Sequence, residues 1–186
     1  MNTRRWLALL AAAALVPAAQ AALGVGAQAP VFEADATLAG KPFAFSLGEA
    51  LKKGPVVLYF YPAAFTPGCT VEAHLFAEAM PEFQQLGAGV IGISHDDIGT
   101  LNKFSVEDCK SRFPLAADPK LKVATSYDSL LAAHPGYSSR TSYVIAPDGK
   151  ILWALDEMKP EPHIKGALTA LRQWRAAQAG KSAGKP

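Results

Sequence analysis

Two mainly apolar stretches dominate the chain. One covers residues 56–61 (Val56, Val57, Leu58, Tyr59, Phe60, Tyr61) and the other residues 90–94 (Val90, Ile91, Gly92, Ile93, Ser94). Short runs this rich in β-branched and aromatic residues predict strands buried on both faces. Between them, residues 70–86 set Val71, Leu75, Phe76, Ala79, Phe83 and Leu86 at helical spacing. Pro81 falls inside that pattern, and its missing N–H predicts a kink or a split there. Earlier in the chain, residues 31–36 and 43–46 alternate at period two and predict edge strands joined by a turn at Gly40-Lys41-Pro42. Later, residues 98–109 predict a helix with Leu101, Phe104 and Val106 as its apolar positions. Residues 113–117 predict a short strand and residues 121–127 a short helix. Residues 141–146 and 150–154 flank Pro147-Asp148-Gly149, a hairpin signal. Residues 162–177 predict the closing helix, and the Gly/Lys/Ser-rich residues 179–186 a flexible tail.

Strand, helix, strand, helix, hairpin and helix is the order of a thioredoxin-like α/β domain. The predicted architecture is a central mixed sheet flanked by helices, with the two early strands as N-terminal additions. The segment joining the two buried strands is long enough for a parallel crossover. The turn at residues 62–69 therefore lies at the carboxyl end of a central strand, where open α/β sheets bind their ligands.

The first residues read as an address and not as fold. Arg4 and Arg5 precede an apolar stretch over residues 6–16, Pro17 breaks it, and Ala19-Gln20-Ala21 is a small-x-small cleavage pattern. The stretch is shorter than the roughly 17–25 residues of a membrane-crossing helix. The expected division is a cleaved signal over 1–21, one domain over 22–178 and a tail over 179–186. The expected location is a bacterial periplasm, with an uncleaved membrane anchor as the alternative. The chain carries 18 Lys+Arg against 16 Asp+Glu, and the two leader arginines account for the excess. A balanced chain offers no electrostatic footprint for nucleic acid. It gives no reason to expect stable membrane association either. With only two cysteines, Cys69 and Cys109, this is not a scaffold that relies on disulfides to fold.

Cys69 closes the segment Pro62-Ala63-Ala64-Phe65-Thr66-Pro67-Gly68 and opens the helical pattern. A sulfur there meets unpaired backbone N–H groups and the positive end of the helix dipole. Both favour the thiolate, which is the nucleophile. The plain alternative is a buried cysteine acting as a small hydrophobe.

The pattern Pro62-x-x-x-Thr66-x-x-Cys69 resembles the active-site signature of the peroxiredoxins, specifically the bacterioferritin-comigratory or PrxQ-type group. Supporting pieces are Val57-Leu58-Tyr59-Phe60-Tyr61-Pro62 before it, Thr70-x-Glu72-Ala73 after it, and Arg140-Thr141-Ser142-Tyr143-Val144-Ile145 further on. The resemblance covers residues 23–171. It implies a thiol peroxidase without metal or organic cofactor, acting on hydrogen peroxide or small hydroperoxides and regenerated by a thioredoxin-like or small-thiol reductant. It implies that Cys69 is the peroxidatic cysteine, that Thr66 orients thiolate and peroxide, and that Pro62 shields the sulfur. Arg140 would stabilise the thiolate and the leaving oxygen, and Glu72 would hold the arginine. The plain readings remain open: Thr66 as a helix cap, Arg140 as a solvated strand-edge charge, Glu72 as compensation of the helix dipole.

The chain departs from this group at one position. Many members carry a resolving cysteine five residues after the first, where this chain has His74. Some carry it on the next helix, which implies that Cys109 resolves Cys69. The reduced protein is expected to hold the two sulfurs apart. The alternatives are a spectator thiol, hence a one-cysteine peroxidase served by an external thiol, and a structural disulfide. His74 lies about 140° around the helix from Cys69, so it faces away from it. His95, Asp96 and Asp97, with His134 and His163 distant, make a poor metal set because three adjacent residues do not converge. Two rival functions share the fold: a thiol–disulfide oxidoreductase and a non-catalytic binding module or chaperone. The first usually has Cys-x-x-Cys, and the second sulfur's position is Glu72 here.

Overall fold

The computed structural model describes residues 22–183. The expected signal segment and residues 184–186 lie outside the described residues. Strand β3 (Val56–Phe60) is the spine, and all five of its residues are buried. Val57 and Tyr59, followed by Tyr61, enter one hydrophobic core, while Val56, Leu58 and Phe60 enter the other. Each large side chain buried this way contributes roughly 1.5–3 kcal/mol. This two-sided burial is why the segment reads as continuously apolar.

Strand β4 (Gly89–Ser94) pairs parallel with β3, and helix α2 (Pro67–Gln85) makes the connection. Strand β5 (Leu115–Ala117) pairs parallel with β4 after helix α3 (Ile98–Glu107). Strand β6 (Thr141–Ile145) runs antiparallel against the other side of β3, and β7 (Ile151–Asp156) closes that edge. A hairpin of β1 (Glu33–Leu38) and β2 (Lys41–Ser46) joins through β1 to β5. The result is one mixed sheet in the order β2-β1-β5-β4-β3-β6-β7. Residues of α2, α3 and the long helix α5 (Glu161–Ala183) pack into one core, and those of α1 (Leu47–Leu51) and α4 (Lys122–Ser126) into the other. This is the thioredoxin-like architecture expected, with its N-terminal strand additions. No helix among the described residues is long and apolar enough to cross a membrane.

Several boundaries differ from expectation. β1 is not an edge strand: its Ala36 and Thr37 are buried against Ala116 and Leu115 of β5, and of the hairpin only β2 lies at an edge. The hairpin turns at Ala39 and Gly40, both at positive φ, which moves β1 two residues later than its alternation predicts. Pro81 does not split α2, because buried Phe76, Ala77, Met80 and Phe83 anchor the helix on both sides of it. Helix α1 was not anticipated. Its five residues are too few to show a period, and it is fixed by burying Leu47 and Leu51. Helix α5 continues through residues 179–183, part of the stretch expected as tail.

Candidate active site

Helix α2 starts earlier than expected, at Pro67, which puts Cys69 third in the helix. Proline fits a first helical position because the N–H it lacks would be unpaired there anyway. Thr66 is the N-cap by backbone geometry, but its side chain makes no cap bond. Its hydroxyl donates to the Ala63 carbonyl at 2.9 Å. That sets aside the reading of its side chain as a helix cap. With the proton on the turn, the oxygen lone pairs stay open to accept a hydrogen bond. Cys69 itself is 2 % exposed. The backbone N–H groups of the first helical turn have no intrahelical acceptor.

Arg140 immediately precedes β6, whose Thr141 pairs with Phe60 at the end of β3. That register carries Arg140 to the strand end from which the Cys69 loop departs. Ser138 strengthens the join by donating to the Tyr61 carbonyl at 2.7 Å. Arg140 is 3 % exposed, so it is no solvated edge charge. Its planar fork divides three ways. Nη2 approaches Cys69 Sγ at 3.5 Å, Nη1 pairs with Glu72 Oε2, and Nε donates to the Met158 carbonyl at 3.0 Å. A Cβ on Gly68 would sit 3.0 Å from Nη2, so the glycine before Cys69 leaves room for the guanidinium. Burial opposes the charge on Arg140, but Glu72 and Cys69 outweigh it and raise its pKa. Glu72 is fully buried and therefore holds Arg140; it is not a surface charge on the helix dipole. Burial pushes its carboxyl up to about 8 against the pull of Arg140, and its Oε1 has no hydrogen-bond partner among the described residues.

The turn between β3 and Cys69 is tied to the loop after β4. His95 Nδ1 donates to the Pro62 carbonyl at 2.8 Å, since a carbonyl only accepts. Asp96 Oδ2 accepts from the Ala64 N–H at 2.8 Å and from Ser94 Oγ at 2.7 Å. Asp97 caps α3 by accepting from the Thr100 N–H at 2.9 Å. The three adjacent residues therefore serve three different partners. Pro62 is half-buried at the exit of β3. Phe65 holds a left-handed φ of 61° and rests edge-on against Phe104 of α3, ring centroids 5.1 Å apart. A non-glycine residue in that conformation costs roughly 1–2 kcal/mol.

A second support lies behind Arg140. Buried His163 bridges Ser142 Oγ at 2.8 Å and the Glu157 carbonyl at 2.7 Å. The Glu157 N–H returns to the Arg140 carbonyl at 3.2 Å, and the next residue, Met158, supplies the acceptor for Arg140 Nε. Burial, reinforced by Arg140, lowers the His163 pKa and keeps the ring neutral. No local sequence pattern marks these roles of His95, Asp96 and His163.

Cys109 does not end a helix as expected. Helix α3 stops at Glu107, Asp108 is its C-cap, and Cys109 follows. Both cysteines are free thiols, and both belong to the core that contains Tyr59, Tyr61 and Phe104. Burial, with Asp108 adding to it, raises the Cys109 pKa far above the ordinary range, so it is a neutral thiol in this state. His74 faces away from Cys69, as its spacing predicts, and its Nε2 meets Asp108 Oδ1 at 3.1 Å.

A buried sulfur in the first turn of a helix, with a forked cation against it on a thioredoxin-like sheet, defines a thiol peroxidase of the peroxiredoxin kind. The chain belongs to the AhpC/TSA family, whose family model matches residues 25–154. A Mycobacterium tuberculosis (strain CDC 1551 / Oshkosh) protein named as a peroxiredoxin is 38 % identical over 133 residues, covering 70 % of this chain and 86 % of its own. The crystal structure of the M. tuberculosis peroxidoxin BcpB superposes with a TM-score of 0.72 at 33 % identity, covering 80 % of this chain and 96 % of that one. The bacterioferritin comigratory protein of Xanthomonas campestris, studied for alkyl peroxide reduction, gives a TM-score of 0.66 at 28 % identity over 75 % of this chain and 90 % of that one. This chain is thus a Bcp/PrxQ-type thiol peroxidase.

Proposed function

We propose that the protein reduces hydrogen peroxide and small organic hydroperoxides at Cys69 and resolves the product with Cys109. The Cys69 thiolate attacks one peroxide oxygen and the O–O bond breaks. That oxygen stays on sulfur as sulfenic acid, and the other leaves as water or alcohol after taking a proton. Arg140 Nη2, 3.5 Å from the sulfur, is the observation that carries this step. One cation lies beside the attacking sulfur and the charge that develops on the leaving oxygen. The Thr66 oxygen, its proton already committed, accepts from the peroxide O–H. Cys109 then attacks the Cys69 sulfur. The S–O bond breaks, the oxygen leaves as water with the Cys109 proton, and an S–S bond forms. A thioredoxin-like protein or small thiol supplies the two electrons that reopen it.

Support for Cys109 as the resolving thiol comes from its place in the same core as Cys69. The alkyl peroxide activity studied in the Xanthomonas relative supports the organic substrates. The export signal read over residues 1–21 would place the reaction in the periplasm. A one-cysteine cycle completed by an external thiol is the second reading, since Cys109 is free and fully buried. A disulfide oxidoreductase is disfavoured because Glu72, three residues after Cys69, is committed to Arg140.

The test is the mass of the protein after one equivalent of peroxide. A loss of about 2 Da reports the internal disulfide; a gain of about 16 Da reports a standing sulfenic acid and selects the one-cysteine cycle. Cys69→Ser should abolish peroxide consumption. Cys109→Ser should react once and then wait for added thiol. Insulin reduction in the absence of peroxide would select the oxidoreductase instead.

A further inference from the structure

We propose that the pair of His74 with Asp108 is a latch that sets how fast Cys109 reaches oxidised Cys69, making His74 a positioning residue for the resolving step. The proposal rests on the reading of Cys109 as the resolving thiol. Two observations carry it.

The first is where the pair lies. His74 sits on α2, five residues after Cys69, and Asp108 is the C-cap of α3 directly before Cys109. The contact of 3.1 Å therefore ties the helix that carries one sulfur to the residue beside the other. With its proton on Nε2 the ring donates a hydrogen bond to the carboxylate. The pair is partly exposed, with side chains 39 % and 13 % accessible, so its strength is modest and it can open.

The second is the chain just after Cys109. Lys110 and Ser111 both hold left-handed backbone, at φ 49° and 56°. Neither is a glycine or an asparagine, the residues that tolerate this conformation. The strained turn is kept by the Ser111 N–H on the Ser105 carbonyl at 2.9 Å and the Arg112 N–H on the Cys109 carbonyl at 3.0 Å. The Asp108 and Cys109 N–H groups share one acceptor, the Phe104 carbonyl, at 3.0 and 3.1 Å. Cys109 is thus held in the core by a sprung segment that gains by relaxing. The His74–Asp108 contact fastens the near end of that segment to the helix that carries Cys69. Both cysteines are buried, so bringing their sulfurs into a bond takes movement of the segments that carry them; the pair resists that movement, and its strength enters the rate of disulfide formation but not the rate of peroxide attack.

Stopped-flow fluorescence with mass spectrometry on quenched samples separates the two rates in wild type, His74→Ala, Asp108→Asn and the double variant. The second-order rate with hydrogen peroxide is expected to stay within about twofold of wild type, since neither residue touches Cys69. The first-order rate of disulfide formation is expected to rise by about two- to fivefold, the range corresponding to a partly exposed ion pair. The double variant should be no faster than either single one. His74→Lys, which keeps a donor in reach of Asp108, should return the rate toward wild type. Less Cys69 should pass to sulfinic acid in excess peroxide, because faster resolution shortens the life of the sulfenic acid. Disulfide formation unchanged or slowed in both single variants, with wild type forming the disulfide, overturns the latch alone. Wild type that stalls as sulfenic acid overturns the resolving role of Cys109 and the latch with it. A fall in the peroxide rate of both single variants would mark the pair as general scaffolding and also overturn it.

Discussion

Replacing Arg140 with alanine should slow the reaction of Cys69 with hydrogen peroxide by about 10²- to 10³-fold. The magnitude follows from the geometry. Nη2 lies 3.5 Å from Sγ. Two unit charges at that distance, with an effective dielectric of about 20, attract by roughly 5 kcal/mol. Glu72 draws on the same guanidinium, so only part of this is lost. A loss of about 3–4 kcal/mol matches the effect of removing a preorganised group that stabilises charge in a transition state, and each 1.36 kcal/mol is about tenfold in rate. Arg140→Ala alone also leaves a buried carboxyl without its cation. The cleaner comparison pairs it with Glu72→Gln in a double-mutant cycle, which separates the direct effect on sulfur from the effect of stranding Glu72. The assay is the pseudo-first-order loss of intrinsic fluorescence across a series of peroxide concentrations, with reductant absent. A loss smaller than tenfold in the double variant, relative to Glu72→Gln, would refute the electrostatic role assigned to Arg140.

Three further outcomes are expected. Glu72 is raised from 4.5 to about 8 by burial, so its neutral form favours the fold. The stability it contributes is full below about pH 4.5 and is lost as pH rises through about 8; Glu72→Gln should flatten that part of the pH dependence of Tm, and an unchanged profile would count against it. His163→Ala strands the Ser142 hydroxyl and the Glu157 carbonyl; urea melts should show a loss of roughly 2–4 kcal/mol, and the peroxide rate should fall severalfold as the Met158 carbonyl drifts from Arg140. Asp96→Ala frees the Ala64 N–H; it should cost about 1–2 kcal/mol in the same melts and slow peroxide attack, with Asp96→Asn restoring part of both because its amide oxygen still accepts.

The spine of the fold was legible because β3 and β4 are buried on both faces, and that burial writes itself into local composition. The reactive turn was legible for the same reason: Pro62, Thr66 and Cys69 are close in sequence and keep their spacing in space. β1 misled because period-two alternation reports which face is buried, not whether another strand lies alongside. Its partner β5 is about 80 residues away and only three residues long. Helix α3 ends two residues before its apolar spacing predicts, leaving Cys109 beyond it, because a helix end depends on caps that apolar spacing does not show. The supports of the site were hidden altogether. Asp96 meets Ala64 across 32 positions and His163 meets Ser142 across 21, and these meetings depend on strand order. A histidine looks the same in sequence whether it anchors a loop or faces water.

The pairing of β3 with β6 has a consequence for when the sulfur becomes reactive. Cys69 and Arg140 are 71 positions apart, and nothing local brings them together. A nascent or partly folded chain can form α2 and still carry Cys69 with no cation beside it. The full rate toward peroxide arrives only when Thr141 has closed against Phe60. The chain is thereby spared early oxidation during its own assembly: the sulfur gains its cation only when β6 has joined β3.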